Sequence, residues 1–137
     1  MTLRITLKPR EQIYIGSARI SVDSESQTRI NIDGELPVVR EKDYLAADKA
    51  ITTARKLYLV LQRAYLNSDF DSLSDEYFRL VGMMISTQPA AHTYITAING
   101  KLSEQKLYAA LREARTLVQF DEGLLPSGEE APQWEGF

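Results

Sequence analysis

LRITLKPREQIYIGSARISV, residues 3–22, alternates apolar and polar side chains with a period of two. Leu3, Ile5 and Leu7 fall on one face and Arg4, Thr6 and Lys8 on the other, the pattern of a half-buried strand. The alternation returns at Ile13 and Ile15 up to Gly16, at Ala18, Ile20 and Val22, at Ile30 and Ile32, and from Leu36 to Val39. Pro9, Gly16, the polar run Asp23-Ser24-Glu25-Ser26, Asp33-Gly34 and Pro37 punctuate it at hairpin intervals. The expectation is an antiparallel β-meander of about five short strands. A β-unit this small buries little core alone, so it calls for cover from helices or from a second copy of the chain, a homodimer.

After Asp43 the apolar period lengthens to that of a helix. Ala50, Ala54, Leu57, Tyr58, Leu61, Ala64 and Tyr65 recur every three or four residues and predict a long amphipathic helix. A second helix is expected from Leu73 to Ile85, opened by Ser72 with Asp75 three positions on as a capping box. A third fits Pro89 to Asn99, with Gly100 just past its end. The last is expected from Ser103 to Phe120, with Leu107, Ala110, Leu111, Ala114, Leu117 and Val118 along one side. The fold class is therefore α+β: a small N-terminal antiparallel meander followed by a bundle of about four helices. Residues 1–43 form the β-unit, 44–120 the helical part, and 121–137 a segment rich in Gly, Pro and Glu, expected to be a flexible acidic tail.

With 137 residues, the chain has room for a small folded body. Its composition, 44% hydrophobic and 26% charged, is that of a soluble globular protein and excludes collagen-like and wholly disordered classes. The absence of cysteine removes disulfides, thiol catalysis and Cys-based metal sites. One histidine, His92, rules out two-histidine zinc motifs, and no nucleophile elbow or phosphate-binding loop occurs. No cofactor is expected. Lacking an apolar leader or a run of roughly 20 apolar residues, the chain is expected in the cytoplasm, away from membranes. Net charge is −3, but it is uneven: 0 over residues 1–43, +2 over 44–120 and −5 over 121–137.

Asp69, Asp71, Asp75 and Glu76 cluster in sequence, yet their spacing fits no calcium loop, and acids in a helix's first turn are explained by the dipole. His92 has no second ligand or nucleophile nearby, so neither group supports an enzyme. The cations are more informative. Arg4, Thr6 and Lys8 share the polar face of the first strand, and Arg40-Glu41-Lys42 follows the last. If those two strands are neighbours, the residues make one strip able to bind phosphates or base edges, with Tyr14 offering a stacking surface. Solvated sheet charges that discourage edge aggregation would look the same. Arg55, Lys56 and Arg63 on the long helix are candidates for an acidic partner. Tyr58, Tyr65, Tyr77 and Tyr108 sit at helical spacings among apolar neighbours and are read as core or helix-contact residues.

Four stretches carry a specific likeness: LKPREQIYIG (7–16), VVREKDYL (38–45), TTARKLYLVLQRAYL (52–66) and KLYAALREARTLVQFDEGLL (106–125). In this order the chain resembles the FlbT family, post-transcriptional regulators of flagellin synthesis in flagellated alphaproteobacteria. Family members usually read LKPGE where this chain has LKPRE, so Arg10 replaces a turn glycine. The resemblance implies a regulator that associates with the 5′ untranslated region of flagellin mRNA and represses its translation or promotes its decay. It also implies FlaF as a companion. The N-terminal stretch is similar, more weakly, to the RNA-binding protein CsrA, through Glu11, Ile13, Ile15, Gly16, Arg40 and Glu41. That likeness points to Arg4, Thr6, Lys8 and Arg40 as RNA contacts, and Lys42 lies on the same strip. The alternative is an adaptor or chaperone-like module that binds flagellin or a flagellar regulator through its helices.

Overall fold

The fold is known from a computed structural model that describes residues 2–125 and 134–137. Five strands come first: β1 (Thr2–Leu7), β2 (Gln12–Ile15), β3 (Ala18–Ser21), β4 (Thr28–Asp33) and β5 (Val38–Arg40). They form two antiparallel sheets, a ribbon of β1 with β4 and a three-stranded sheet ordered β3-β2-β5. Ile5 lies opposite Ile30 in the ribbon, and Ile13 lies opposite both Ile20 and Arg40 in the other sheet. Period-two patterning gives each sheet one apolar face. Both faces feed a single cluster of Ile5, Leu7, Ile13 and Val22, with Ile15, Ile30, Ile32 and Val38 packed around it. Leu3, assigned by alternation to the same face, stays 45% exposed because it lies near the open end of the ribbon.

Sequential pairing of strands, as in a meander, is not what forms. Only β2 and β3 are joined as a tight hairpin, with Gly16 at φ 56 in the turn. β1 skips to β4, and β5 pairs with β2, so the first and last strands are not ladder neighbours. The reason lies in residues 8–11. Pro9 cannot donate to a ladder, and Arg10 takes φ 64, the arrangement of a type II turn closed by Glu11 N–H on the Lys8 carbonyl at 3.1 Å. The chain thus leaves the first sheet and enters the second. Arg10 holds a left-handed conformation that glycine adopts without strain, and its guanidinium pairs with Asp23 and Glu25.

A second unit begins at Leu45, while the first runs to Tyr44 and takes in Gly136–Phe137. The second unit holds α1 (Thr53–Asn67), α2 (Ser74–Thr87), α3 (His92–Ser103) and α4 (Leu107–Asp121). Helix α1 packs against both α2 and α4, and α3 packs against α4. The expected stripe is buried: Ala54, Leu57, Tyr58, Leu61 and Ala64 on α1, facing Ala110, Leu111, Ala114, Leu117 and Val118 on α4. Thr52 starts α1 by accepting from the Arg55 N–H at 3.1 Å, and Ser68 at φ 51 ends it. Gln62, buried in this core, donates to the Leu45 carbonyl at 3.0 Å and accepts from its N–H at 2.9 Å. That exchange gives the buried amide a partner for its oxygen and for its nitrogen.

Several helix ends differ from the sequence reading. The capping box at Ser72 and Asp75 does not form; instead Asp69 accepts from the Ser72 N–H and hydroxyl, capping a 3-10 turn (Asp71–Leu73) that precedes α2. Pro89 likewise opens a 3-10 turn, Pro89–Ala91, rather than α3 itself. Gly100 lies inside α3, and the left-handed position falls to Gln105 at φ 60, two residues past the helix end. Ser103 accordingly closes α3, and α4 starts only at Leu107. Tyr77 is fully buried and donates to Asn99 Oδ1 at 2.6 Å, while Tyr65 and Tyr108 pack as a tilted pair with Tyr108 largely exposed.

Burial pushes the Tyr77 phenol above its usual value. An unfolded chain ionises its tyrosines near pH 10, so stability is present below that pH and falls as pH rises further. Tyr77→Phe should cost about 1 kcal/mol at neutral pH through the lost hydrogen bond, and should flatten the alkaline loss measured by urea unfolding. An unchanged alkaline slope would show that Tyr77 does not contribute to it.

Candidate nucleic-acid interface

In the register of the ribbon, Arg4 lies opposite Asn31 and Thr6 opposite Arg29. These four side chains are exposed and share the face opposite the apolar cluster, with Lys8 exposed just past the end of β1. Diagonal neighbours on such a face are about 7–8 Å apart, so Arg4, Arg29 and Lys8 form a compact group of positive charge. Among the described residues none of the three side chains has an ion pair or a hydrogen bond. The ribbon's own acid is Asp33, which accepts from the Thr2 hydroxyl and lies diagonal to Arg4 at the end away from Lys8. Arg29 and Asn31 were not among the residues singled out from sequence. The TRINID alternation puts them opposite Ile30 and Ile32, but only the β1–β4 register puts them beside Arg4 and Thr6.

Arg40 is placed differently. Its Nη2 donates to the Thr6 carbonyl at 2.8 Å and to Glu11 Oε2 at 3.1 Å, linking the end of the three-stranded sheet to β1 of the ribbon. Glu11, whose side chain is only 11% exposed, also accepts from the Lys8 N–H at 2.9 Å. Thus Arg40 meets the first strand through its side chain rather than through a ladder, and its guanidinium is engaged within the fold. Lys42 is exposed in the 3-10 turn Glu41–Asp43 that follows.

Tyr14 stacks on Tyr44, ring centroids 3.5 Å apart and planes within 5°, and its hydroxyl donates to Gln12 at 3.2 Å. One face of the ring is therefore covered. Burial first, then Tyr44, pushes the Tyr14 phenol up, with Arg19 opposing.

On α1, Arg55 donates to Glu122 at 2.6 Å and to the Lys49 carbonyl at 3.2 Å, while Lys56 and Arg63 are exposed two helical turns apart on one face. Of the three cations suggested for a partner, Arg55 is thus engaged within the helical unit, and Lys56 and Arg63 face solvent. Of the carboxylates, Asp69 caps Ser72 and is held below its usual range by that hydroxyl and N–H; Glu76 pairs with Arg79, whose hydrogen bond lowers it too. Asp71 and Asp75 are exposed, as is His92 at the start of α3. Among the described residues no group of three or more His, Asp or Glu side chains could hold a metal ion, and no helix is long and apolar enough to cross a membrane.

Comparison with known proteins matches residues 3–125 to the model of the family described as flagellar protein FlbT. The chain belongs to the FlbT family. It is 38% identical over 125 residues to the probable flagellum biosynthesis repressor protein FlbT of Rhodopseudomonas palustris, covering 91% of this chain and 98% of that one. A relative from Bradyrhizobium diazoefficiens, also named probable flagellum biosynthesis repressor, is 36% identical over 90% of this chain and 85% of its own. The flagellum biosynthesis repressor protein FlbT of Caulobacter vibrioides is 24% identical over 89% and 88%. No solved structure matches.

The Glu11–Arg40 contact is open to a double-mutant cycle. Glu11→Ala and Arg40→Ala should each cost about 1–2 kcal/mol in denaturant unfolding, and the double variant should cost about 1 kcal/mol less than their sum. Strict additivity would show that the pair does not hold the two sheets.

Proposed function

We propose that this protein regulates flagellum biosynthesis by binding RNA, with the flagellin mRNA 5′ leader as its target and lowered translation or message stability as the result. The regulatory part is supported by the names of the FlbT relatives, flagellum biosynthesis repressors. The RNA part rests on one observation: Arg4, Lys8 and Arg29 are unpaired cations on a single ribbon face of a chain whose net charge is −3. Guanidinium groups bind phosphate bidentately and stack on unpaired bases, and Thr6 and Asn31 add neutral donors and acceptors between them. Three cations neutralise few phosphates, so binding is selective and only moderately salt-dependent. Lys42, exposed two residues past Arg40, is a further cation for the strand, and the part of Arg40 is to position β1.

A second reading, an adaptor that binds flagellin, FlaF or another regulator, draws on α2. Phe78 is 56% exposed there, with Val81 and Ile85 half-buried on the same side of the helix. Purified protein that captures flagellin or FlaF but no RNA would favour it.

Titration of a labelled flagellin leader and a shuffled RNA of equal length separates the two. Arg4→Ala, Lys8→Ala and Arg29→Ala should each weaken leader binding and reduce the slope of log K against log salt by about 1. Affinity unchanged in all three variants would remove the ribbon face from the site.

A further inference from the structure

Composition marks residues 121–137 as a loose tail, yet the four described residues at its end are engaged. Phe137 N–H donates to the Lys42 carbonyl at 3.2 Å, and Phe137 is half-buried. Gly136 sits at φ 101, and a Cβ there would lie 2.9 Å from the Lys42 carbonyl oxygen and 3.1 Å from Lys42 Cβ. The clash is partly with backbone, which cannot swing away, so conformation and space both demand glycine. Two residues earlier, the chain's single tryptophan, Trp134, is half-buried with the Arg115 guanidinium 5.2 Å from its ring centroid.

We propose that the turn Glu41–Asp43 is a docking site whose resident occupant is the Glu135-Gly136-Phe137 segment of this same chain, and that the docked segment and an RNA strand on the ribbon face exclude one another. The inference rests on the RNA reading of that face. The segment seats on Lys42, two residues beyond Arg40, and Arg40 itself reaches the Thr6 carbonyl of β1. Docking therefore covers the main chain at Lys42, next to the strand end that Arg40 ties to β1. It also brings Glu135, exposed and negatively charged, within one residue of the docked glycine. A phosphate approaching Lys42 meets a like charge and an occupied turn, and binding proceeds by lifting the segment off. The interaction is suited to reversal: the four residues are half-buried or exposed rather than enclosed.

Trp134 supplies the readout. Full-length wild type, Gly136→Val and Glu135→Gln are titrated with a labelled oligouridylate at two salt concentrations, following tryptophan emission and RNA anisotropy together. Wild-type emission should move toward that of exposed indole as RNA saturates. Gly136→Val should show the exposed emission without RNA and bind about threefold tighter at low salt, and Glu135→Gln should keep the docked emission and gain a smaller part of that affinity. A Gly136→Val protein with wild-type emission would overturn the docking, and released emission with wild-type affinity would overturn the exclusion. If no variant binds RNA, the RNA reading itself fails and the exclusion with it, while the emission of Gly136→Val still reports whether the segment docks.

Discussion

The Glu11 carboxylate joins three parts of the β unit that the backbone alone does not hold together. It accepts from the Lys8 N–H and so closes the turn between β1 and β2, and it anchors Arg40 at the end of β5. Through Arg40 the same group reaches the Thr6 carbonyl of β1. The ribbon and the three-stranded sheet share an apolar cluster of only a few side chains, and a cluster that small does not specify its own geometry. A charge-assisted pair whose carboxylate is largely shielded from water supplies the direction that hydrophobic contact lacks. Its cost is that losing either partner leaves the other partly desolvated and unpaired.

That contact also sorts the cations. Residues 1–43 carry no net charge, so a basic face exists only where acids are engaged elsewhere. Glu11 is held by Arg40, Asp23 and Glu25 by Arg10, and Asp33 accepts from Thr2. What remains on the outer side of the ribbon is Arg4, Lys8 and Arg29, with Asp33 diagonal to Arg4 as the ribbon's own acid. Local field, not the total charge of the chain, is what a phosphate meets within a Debye length.

The period change at Asp43, the five strands and the α1 and α4 stripes were legible because burial enforces periodicity over many residues. Strand order was not. Adjacent strands usually pair, and the exception at Lys8–Glu11 depends on a left-handed Arg10, a conformation residue type alone does not announce. Arg29 stayed hidden for the same reason: its face is readable, its neighbour across the ribbon is a matter of register. Helix ends were misread where 3-10 turns intervened, since Ser72 and Pro89 fit such turns as readily as the start of an α-helix. Tyr14 and Trp134 drew their partners, Tyr44 and Arg115, from distant sequence.

The stretches that carry the family likeness turn out to contain the scaffold more than the site. LKPRE holds the turn, Glu11 and Lys8, and REKD holds Arg40 and the docking turn, whereas Arg4 and Arg29 lie outside both. This division has a physical basis. A turn with a required φ, or a carboxylate with three donors, tolerates one solution, so it writes a sharp motif. A cation on a solvent-facing strand can sit at any outward position of β1 or β4 and still meet the same phosphate, so it leaves a diffuse one. Motif strength therefore locates what holds the β unit in shape, and the proposed RNA contacts belong to the face that shape presents.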